Sequence, residues 1–213
     1  MIGELCIPDG MLRLSKTRSA LSYAERLHAG QKRRVDGAPF IVHPLEVARL
    51  LFGAGASDHV VAAGVLHDVI EKTDADAADL RARFGVRVTR LVLAVSEDQR
   101  IGGCVKRKAA LREQVARAGH EALMIFAADK ISKVRELTLE NPKRRQPARV
   151  PLSRDRRLAH YRHCLRMLEE HLTDSPLVTQ LRAELETSTT RSPARPAASF
   201  SCGRSRTRQY PNA

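Results

Sequence analysis

Val65-Leu-His-Asp-Val-Ile-Glu71 decides how this chain is read. His67 and Asp68 sit side by side in an apolar run, Val60 to Ile70, that would otherwise be buried helix. Helical spacing carries Glu71, four residues after His67 and three after Asp68, to the same face. Two metal-ligand types and a carboxylate base thus share one turn. The bland alternative is a structural His-Asp pair, so the rest of the chain has to decide.

Working outward, apolar spacing predicts helices on both sides. Leu14, Ala20, Leu21, Ala24 and Leu27 form a stripe that ends at His28, with Gly30 as the stop. Gln31 to Gly37 reads as a basic loop, and Ala38 to Val42 as extended because proline disfavours helix before it. His43-Pro44 opens the next helix, with Pro44 at a favoured first position. Beyond the central run, Ala77 to Phe84 is a short helix broken by Gly85. Val86 to Val95 is β-branched but spaced as helix. Lys106 to Ala118, Glu121 to Leu137, Arg154 to Leu172 and a last short element ending near Leu185 complete the set. The fold class expected is all-α: one helical bundle over residues 12–186. Residues 187–213 are expected to be a disordered basic tail, because Ser, Thr, Pro, Arg and Ala replace the apolar pattern.

Composition sets bounds. The 213 residues are 43% hydrophobic but 4% aromatic, so aliphatic helix packing must build the core. The four cysteines, Cys6, Cys104, Cys164 and Cys202, follow no zinc or disulfide spacing, which suits a reducing, cytoplasmic setting. No apolar run approaches the ~18 residues of a membrane span. The formal charge of +13 points to an anionic partner. Much of that charge is local, at Lys143 to Arg149, at Arg154 to Arg157 and in the tail. A nucleic-acid partner is disfavoured, because aromatics are not interleaved with those clusters and no known motif is present.

Candidate ligands then assemble from several elements. His28 ends one helix, His67 and Asp68 lie mid-helix, and Asp129 ends the apolar run Ala122 to Ala128. A carboxylate there is costly without a metal or cation. The nitrogen and oxygen set His28, His67, Asp68 and Asp129 suits Mn²⁺ or Fe²⁺ with positions left for water. Such an ion acidifies water and polarises a phosphoryl oxygen, with Glu71 placed as base.

The ordered set His28-Ala-Gly-Gln-Lys-Arg-Arg34, Gly37-Ala-Pro-Phe-Ile-Val-His43-Pro44, His67-Asp68-Val-Ile-Glu71, Phe84-Gly85, Arg107-Lys108 and Ala128-Asp129-Lys130 resembles the HD-domain metal-dependent phosphohydrolases. More narrowly, it resembles the RelA/SpoT-family hydrolase domain and the small stand-alone alarmone hydrolases, over about residues 19–172. The resemblance implies an all-helical fold and Mn²⁺ on His28, His67, Asp68 and Asp129, with His43 in a structural or supporting place. It implies removal of the 3′-pyrophosphate from (p)ppGpp, a phosphorylated nucleotide held by Arg33 and Arg34.

Two positions depart from the family pattern. The motif HDxxED reads here His67-Asp-Val-Ile-Glu71-Lys72, and a later asparagine is Lys133. Each lysine falls four residues after a ligand aspartate. Lys72, Lys130 and Lys133 are therefore expected at the site, attracting phosphate. Three outcomes stay open: hydrolysis of (p)ppGpp, preference for an adenosine analogue such as (p)ppApp, or a nucleotide-binding HD module without turnover.

Overall fold

A computed structural model describes residues 7–139 and 153–190, with the side chains of 189 and 190 left aside. The order is α1 Asp9–Leu12, α2 Ser15–Leu27, α3 Val42–Gly53, α4 Asp58–Leu66, α5 Val69–Lys72, α6 Ala77–Val95, α7 Cys104–Ala118, α8 His120–Leu139, α9 Arg154–His171 and α10 Pro176–Thr190. Among the described residues there is no strand, only an isolated bridge between Lys32 and Pro39. The all-α expectation holds.

Two helices form the interior. Every residue of α4 from Val60 to Leu66 is buried, so this helix has no polar face and must sit inside the bundle. It packs between α2 and α3 and also meets α6 and α8. The α3 contact is tight because Gly64 has no side chain: a Cβ there would come within 2.3 Å of Leu51 Cδ1. Helix α8 is the second axis. It buries Ile125, Phe126, Ala127 and Ile131, and with them Asp129, Lys130 and Ser132. Helices α3, α7, α9 and α10 close around it. The β-branched stretch after Gly85 is helical as its spacing required, and Gly85 itself, at φ 83°, kinks α6.

Three details correct the sequence-based expectations. Met11 and Ser188 are fully buried, so the packed unit reaches beyond residues 12 and 186. The last helix runs to Thr190 rather than stopping near Leu185, so residues 187–190 are helix and not tail. The remainder of the expected disordered tail, and the basic cluster Lys143 to Arg149, lie outside the described residues.

The third correction matters most. His67 and Asp68 are not mid-helix: α4 ends at Leu66 and α5 begins at Val69. The cause is local. His67 Nδ1 lies 2.8 Å from the carbonyl oxygen of Gly64, the acceptor that the amide of Asp68 would use in a continuous helix. The chain turns at these two residues, and helical pairing resumes with the Lys72 amide donating to the Asp68 carbonyl at 3.0 Å.

Candidate metal centre

Each site residue is positioned by a helix end or a buried helix face. His28 caps α2, with φ −91° and ψ 9°. His43 lies in the first turn of α3, ahead of Pro44. His67 and Asp68 occupy the α4–α5 break, and Asp129 projects from the middle of α8. All five are buried, from 1% to 5% exposed.

The donor atoms converge. His43 Nε2 is 3.2 Å from His67 Nε2, 3.2 Å from Asp129 Oδ1 and 3.6 Å from Asp68 Oδ2. His67 Nε2 is 3.4 Å from Asp129 Oδ1 and 3.5 Å from Asp68 Oδ2. Bonds of about 2.0–2.2 Å to one ion place neighbouring ligands roughly 2.8–3.6 Å apart. The observed separations fall in that range.

Proton positions sharpen the fit. A carbonyl only accepts, so His67 Nδ1 carries the proton it shares with Gly64. Ser132 Oγ donates to Glu46 Oε2 at 2.6 Å and therefore accepts from His43 Nδ1 at 2.8 Å. In the neutral rings both Nε2 lone pairs then point inward at each other. Two lone pairs and two carboxylate oxygens facing one buried point repel unless a cation lies between them. Asp68 Oδ2 and His28 Nε2 are moreover buried without a hydrogen bond, which is costly for each. The donor set fits a divalent ion.

The protein's own cations partly balance these charges. Lys133 Nζ is 2.9 Å from Asp129 Oδ1, and Lys72 Nζ is 3.9 Å from Asp68 Oδ2. Lys130 Nζ bonds Asp129 Oδ2 at 2.6 Å and lies 4.2 Å above the Phe126 ring. Burial by itself would raise both aspartates, but His67 and the lysines hold Asp68, and Lys130 and Lys133 hold Asp129, below the usual carboxylate range. Burial lowers His43. Burial pulls His67 the same way, but the charge of Asp68 and the hydrogen bond to Asp129 outweigh it and raise that ring.

His43, given a supporting place by the sequence, stands closer to the other donors than that reading required. The three residues whose ligand atoms all lie within 4.8 Å of one another are His43, His67 and Asp129. Neither His28 nor Asp68 is in that group, although Asp68 Oδ2 lies 3.5 and 3.6 Å from the two rings. The His28 ring packs on Phe40 with centroids 4.8 Å apart, and its Nδ1 pairs with Gln31 Oε1 at 2.9 Å. Burial, opposed by Gln31 and by the charge of Asp68, lowers its pKa, so the orphaned Nε2 is a neutral nitrogen at the rim of the cluster. The available signal was the His-Pro pair, which sets a histidine in the first turn of a helix.

Two cavities meet at Asp68 and Lys133. The larger, about 590 Å³, is lined by Gln31, Arg33, Arg34, Phe40, Lys72 and Glu136 among others. The smaller, about 190 Å³, is bounded by Glu71, Glu97, Lys108, Lys130, His160 and Tyr161 besides the donors. Of the expected nucleotide-binding side chains, Arg33, Arg34 and Lys72 face the larger cavity, Lys130 the smaller and Lys133 both. Arg33 is already engaged by Asp36 and stands 3.7 Å from Glu136, so it holds the loop as well. Glu136, pressed by burial and relieved in part by Arg33, is pushed up to about 7. Glu71 Oε1 accepts the Glu97 amide at 2.6 Å. Burial raises Glu71 despite that bond, which makes it a stronger base than an exposed carboxylate.

Residues 20–153 match the HD domain family. The chain belongs to the HD-domain family. Among curated relatives of this HD-domain protein, human guanosine-3′,5′-bis(diphosphate) 3′-pyrophosphohydrolase MESH1 is 36% identical over 126 residues, which cover 58% of this chain and 70% of that one. A GTP pyrophosphokinase of Streptomyces coelicolor is 35% identical over 151 residues, covering 69% of this chain but 18% of that protein. A solved structure of a metazoan orthologue of SpoT, which hydrolyses ppGpp and plays a role in starvation responses, matches with TM-score 0.68 and 26% identity. The match covers 81% of this HD-domain chain and 95% of that structure.

Proposed function

We propose that this HD-domain protein is a metal-dependent hydrolase that removes the 3′-pyrophosphate from (p)ppGpp-type nucleotides. The observation that carries the reading is the group of buried donors of His43, His67 and Asp129, with Asp68 Oδ2 beside the two rings, where a large basic cavity meets a small one. The relatives' activity points the same way.

His43, His67, Asp68 and Asp129 would hold the ion, with His28 beside them; Mn²⁺ is the ion expected for this mixed nitrogen and oxygen set. When bound, it acidifies a water and polarises the phosphoryl oxygen. The chain's own residues do the rest. Phe40, Arg33 and Arg34 receive the nucleoside in the larger cavity, where a guanidinium can stack on the base or fork onto phosphate. Lys72 and Lys133 meet the 3′-phosphoryl groups at the junction. The smaller cavity, with Lys108 and Lys130, receives the pyrophosphate product. Glu71, with one oxygen committed to the Glu97 amide, uses the other to take a proton from the attacking water. The ribose 3′-oxygen–phosphorus bond breaks as the water oxygen joins phosphorus, and the proton taken by Glu71 passes to solvent as the 3′-oxygen takes one up, giving pyrophosphate and the 5′-di- or triphosphate with a free 3′-hydroxyl.

The compartment in keeping with this reading is the cytoplasm. Cys104 and Cys164 are unpaired, and no helix among the described residues is long and apolar enough to cross a membrane.

Incubation with Mn²⁺ and a panel of 3′-pyrophosphorylated guanosine and adenosine nucleotides, following pyrophosphate release, tests the proposal. Release from the guanosine compounds supports it, and release from the adenosine compounds alone reassigns the base. The Lys133–Asp129 ion pair favours a second reading, an HD module that binds nucleotide without turnover. Nucleotide binding with no release from any member of the panel would select that reading.

A further inference from the structure

We infer that Lys133 is a tethered cation competing with the divalent ion for Asp129, so that this chain trades metal affinity for a metal-free site whose carboxylates are already offset by lysines. This rests on the reading of the cluster as a metal centre.

The geometry is specific to one lysine. Lys133 Nζ lies 2.9 Å from Asp129 Oδ1, the oxygen that also faces His43 Nε2 and His67 Nε2 at 3.2 and 3.4 Å. The ammonium therefore addresses the same oxygen as the two imidazole donors. It cannot withdraw far, because its position one turn along α8 from Asp129 is fixed by the helix and its side chain is only 28% exposed. The other oxygen of Asp129 is taken by Lys130. Lys72 stands differently: its Nζ is 3.9 Å from Asp68 Oδ2, its side chain is 36% exposed, and it also lies 5.3 Å from the Phe40 ring.

Charge counting gives the consequence. Asp68 and Asp129 supply two negative charges, and Lys72, Lys130 and Lys133 already supply three positive ones within ion-pair distance. A divalent ion entering that point meets Lys133 at short range in a buried site, where like charges are poorly screened. Removing the Lys133 charge removes that opposition and frees one Asp129 oxygen for the ion. It also leaves Asp129 Oδ1 of the metal-free protein without its ammonium, with Lys130 still on the other oxygen.

The test reads metal binding, not turnover. Mn²⁺ binding to the full chain, without nucleotide, is followed by electron paramagnetic resonance of the free ion for the parent, Lys133→Asn, Lys133→Gln and Lys133→Arg, each checked for helicity by circular dichroism. Both neutral variants should bind Mn²⁺ roughly tenfold more tightly, the scale on which residues beside metal ligands act. The arginine variant should stay near the parent. Metal-free Lys133→Gln should also melt below the parent and regain the loss with Mn²⁺. Unchanged or weaker binding in the folded neutral variants, beside a parent that binds Mn²⁺, overturns the competition and leaves the metal centre standing. Absence of Mn²⁺ binding in all four proteins overturns both.

Discussion

The Nε2 atoms of His43 and His67 face each other at 3.2 Å, each ring with its proton committed to the far side, one to Ser132 and one to Gly64. Neither nitrogen has a proton to offer the other in the neutral state, so a cation bound between them would relieve the contact. This places His43, rather than His28, among the atoms nearest that point. His43→Ala should therefore weaken Mn²⁺ binding by roughly 100-fold or more, and His28→Ala by roughly tenfold, the range expected when a ligand's neighbour is lost. Free-ion titration of the two variants checks the order; the reverse order would restore His28 to the donor set.

Removing the metal should lower stability. An ion that binds only the folded chain adds about 2.7 kcal/mol when present at 100 times its dissociation constant. For a domain of this size that is roughly 5–10 °C in melting temperature. Thermal unfolding with Mn²⁺ and with excess chelator measures the difference. Equal melting temperatures would mean that no ion prefers the folded state.

Glu71→Gln should cut pyrophosphate release by about 10²–10⁴-fold while leaving Mn²⁺ affinity within a few-fold. The base acts deprotonated, so activity should rise with pH through the Glu71 pKa. Because burial raises that pKa, the rising limb should lie above the ordinary glutamate range. Comparing pH–rate profiles of parent and variant checks this: the limb should vanish in Glu71→Gln.

Gly64→Ala should destabilise by about 1–3 kcal/mol, the cost of overpacking a filled core. The added methyl meets Leu51 Cδ1 at 2.3 Å, and Leu51 is fully buried on the facing helix. The same residue supplies the carbonyl that orients His67, so Mn²⁺ binding should weaken as well. Urea unfolding and ion titration of one variant read both effects.

Asp58 ties the start of α4 to the start of α2. It accepts the Lys16 amide at 3.0 Å and the Thr17 amide and hydroxyl, each at 2.8 Å. Burial by itself would raise its pKa, but the Lys16 amide and Thr17 bonds lower it below the usual carboxylate value. A depressed folded pKa contributes stability above the unfolded value, and that contribution fades as pH falls from about 4 through the folded value. Asp58→Asn should cost about 1–2 kcal/mol at pH 7. The gap between parent and variant should narrow as pH falls below about 4 in a denaturant series.

Much of this protein was legible along the chain. Apolar spacing at 3.6 residues placed the helices, even across the β-branched Val86 to Val95, because burial of one face dominates over intrinsic preference. Gly85 and Pro44 marked a kink and a helix start for reasons of backbone geometry alone. The fall of Lys72 and Lys133 one turn after Asp68 and Asp129 was also visible, since helical neighbours are fixed by spacing. The break at His67–Asp68 was not, because it depends on a side-chain nitrogen taking the Gly64 carbonyl from the helix ladder.

The sequence by itself determined the helices, the chemical types at the site and the family. Only the tertiary structure decided which nitrogen stands at the centre. His43 and His28 carry the same donor chemistry, and each lies at a helix end. What separates them is the packing of α3 against α4 and α8, which carries the His43 ring to within 3.2 Å of both His67 and Asp129. Contacts between residues 24 and 86 positions apart are set by how helices cross, and no local pattern records that.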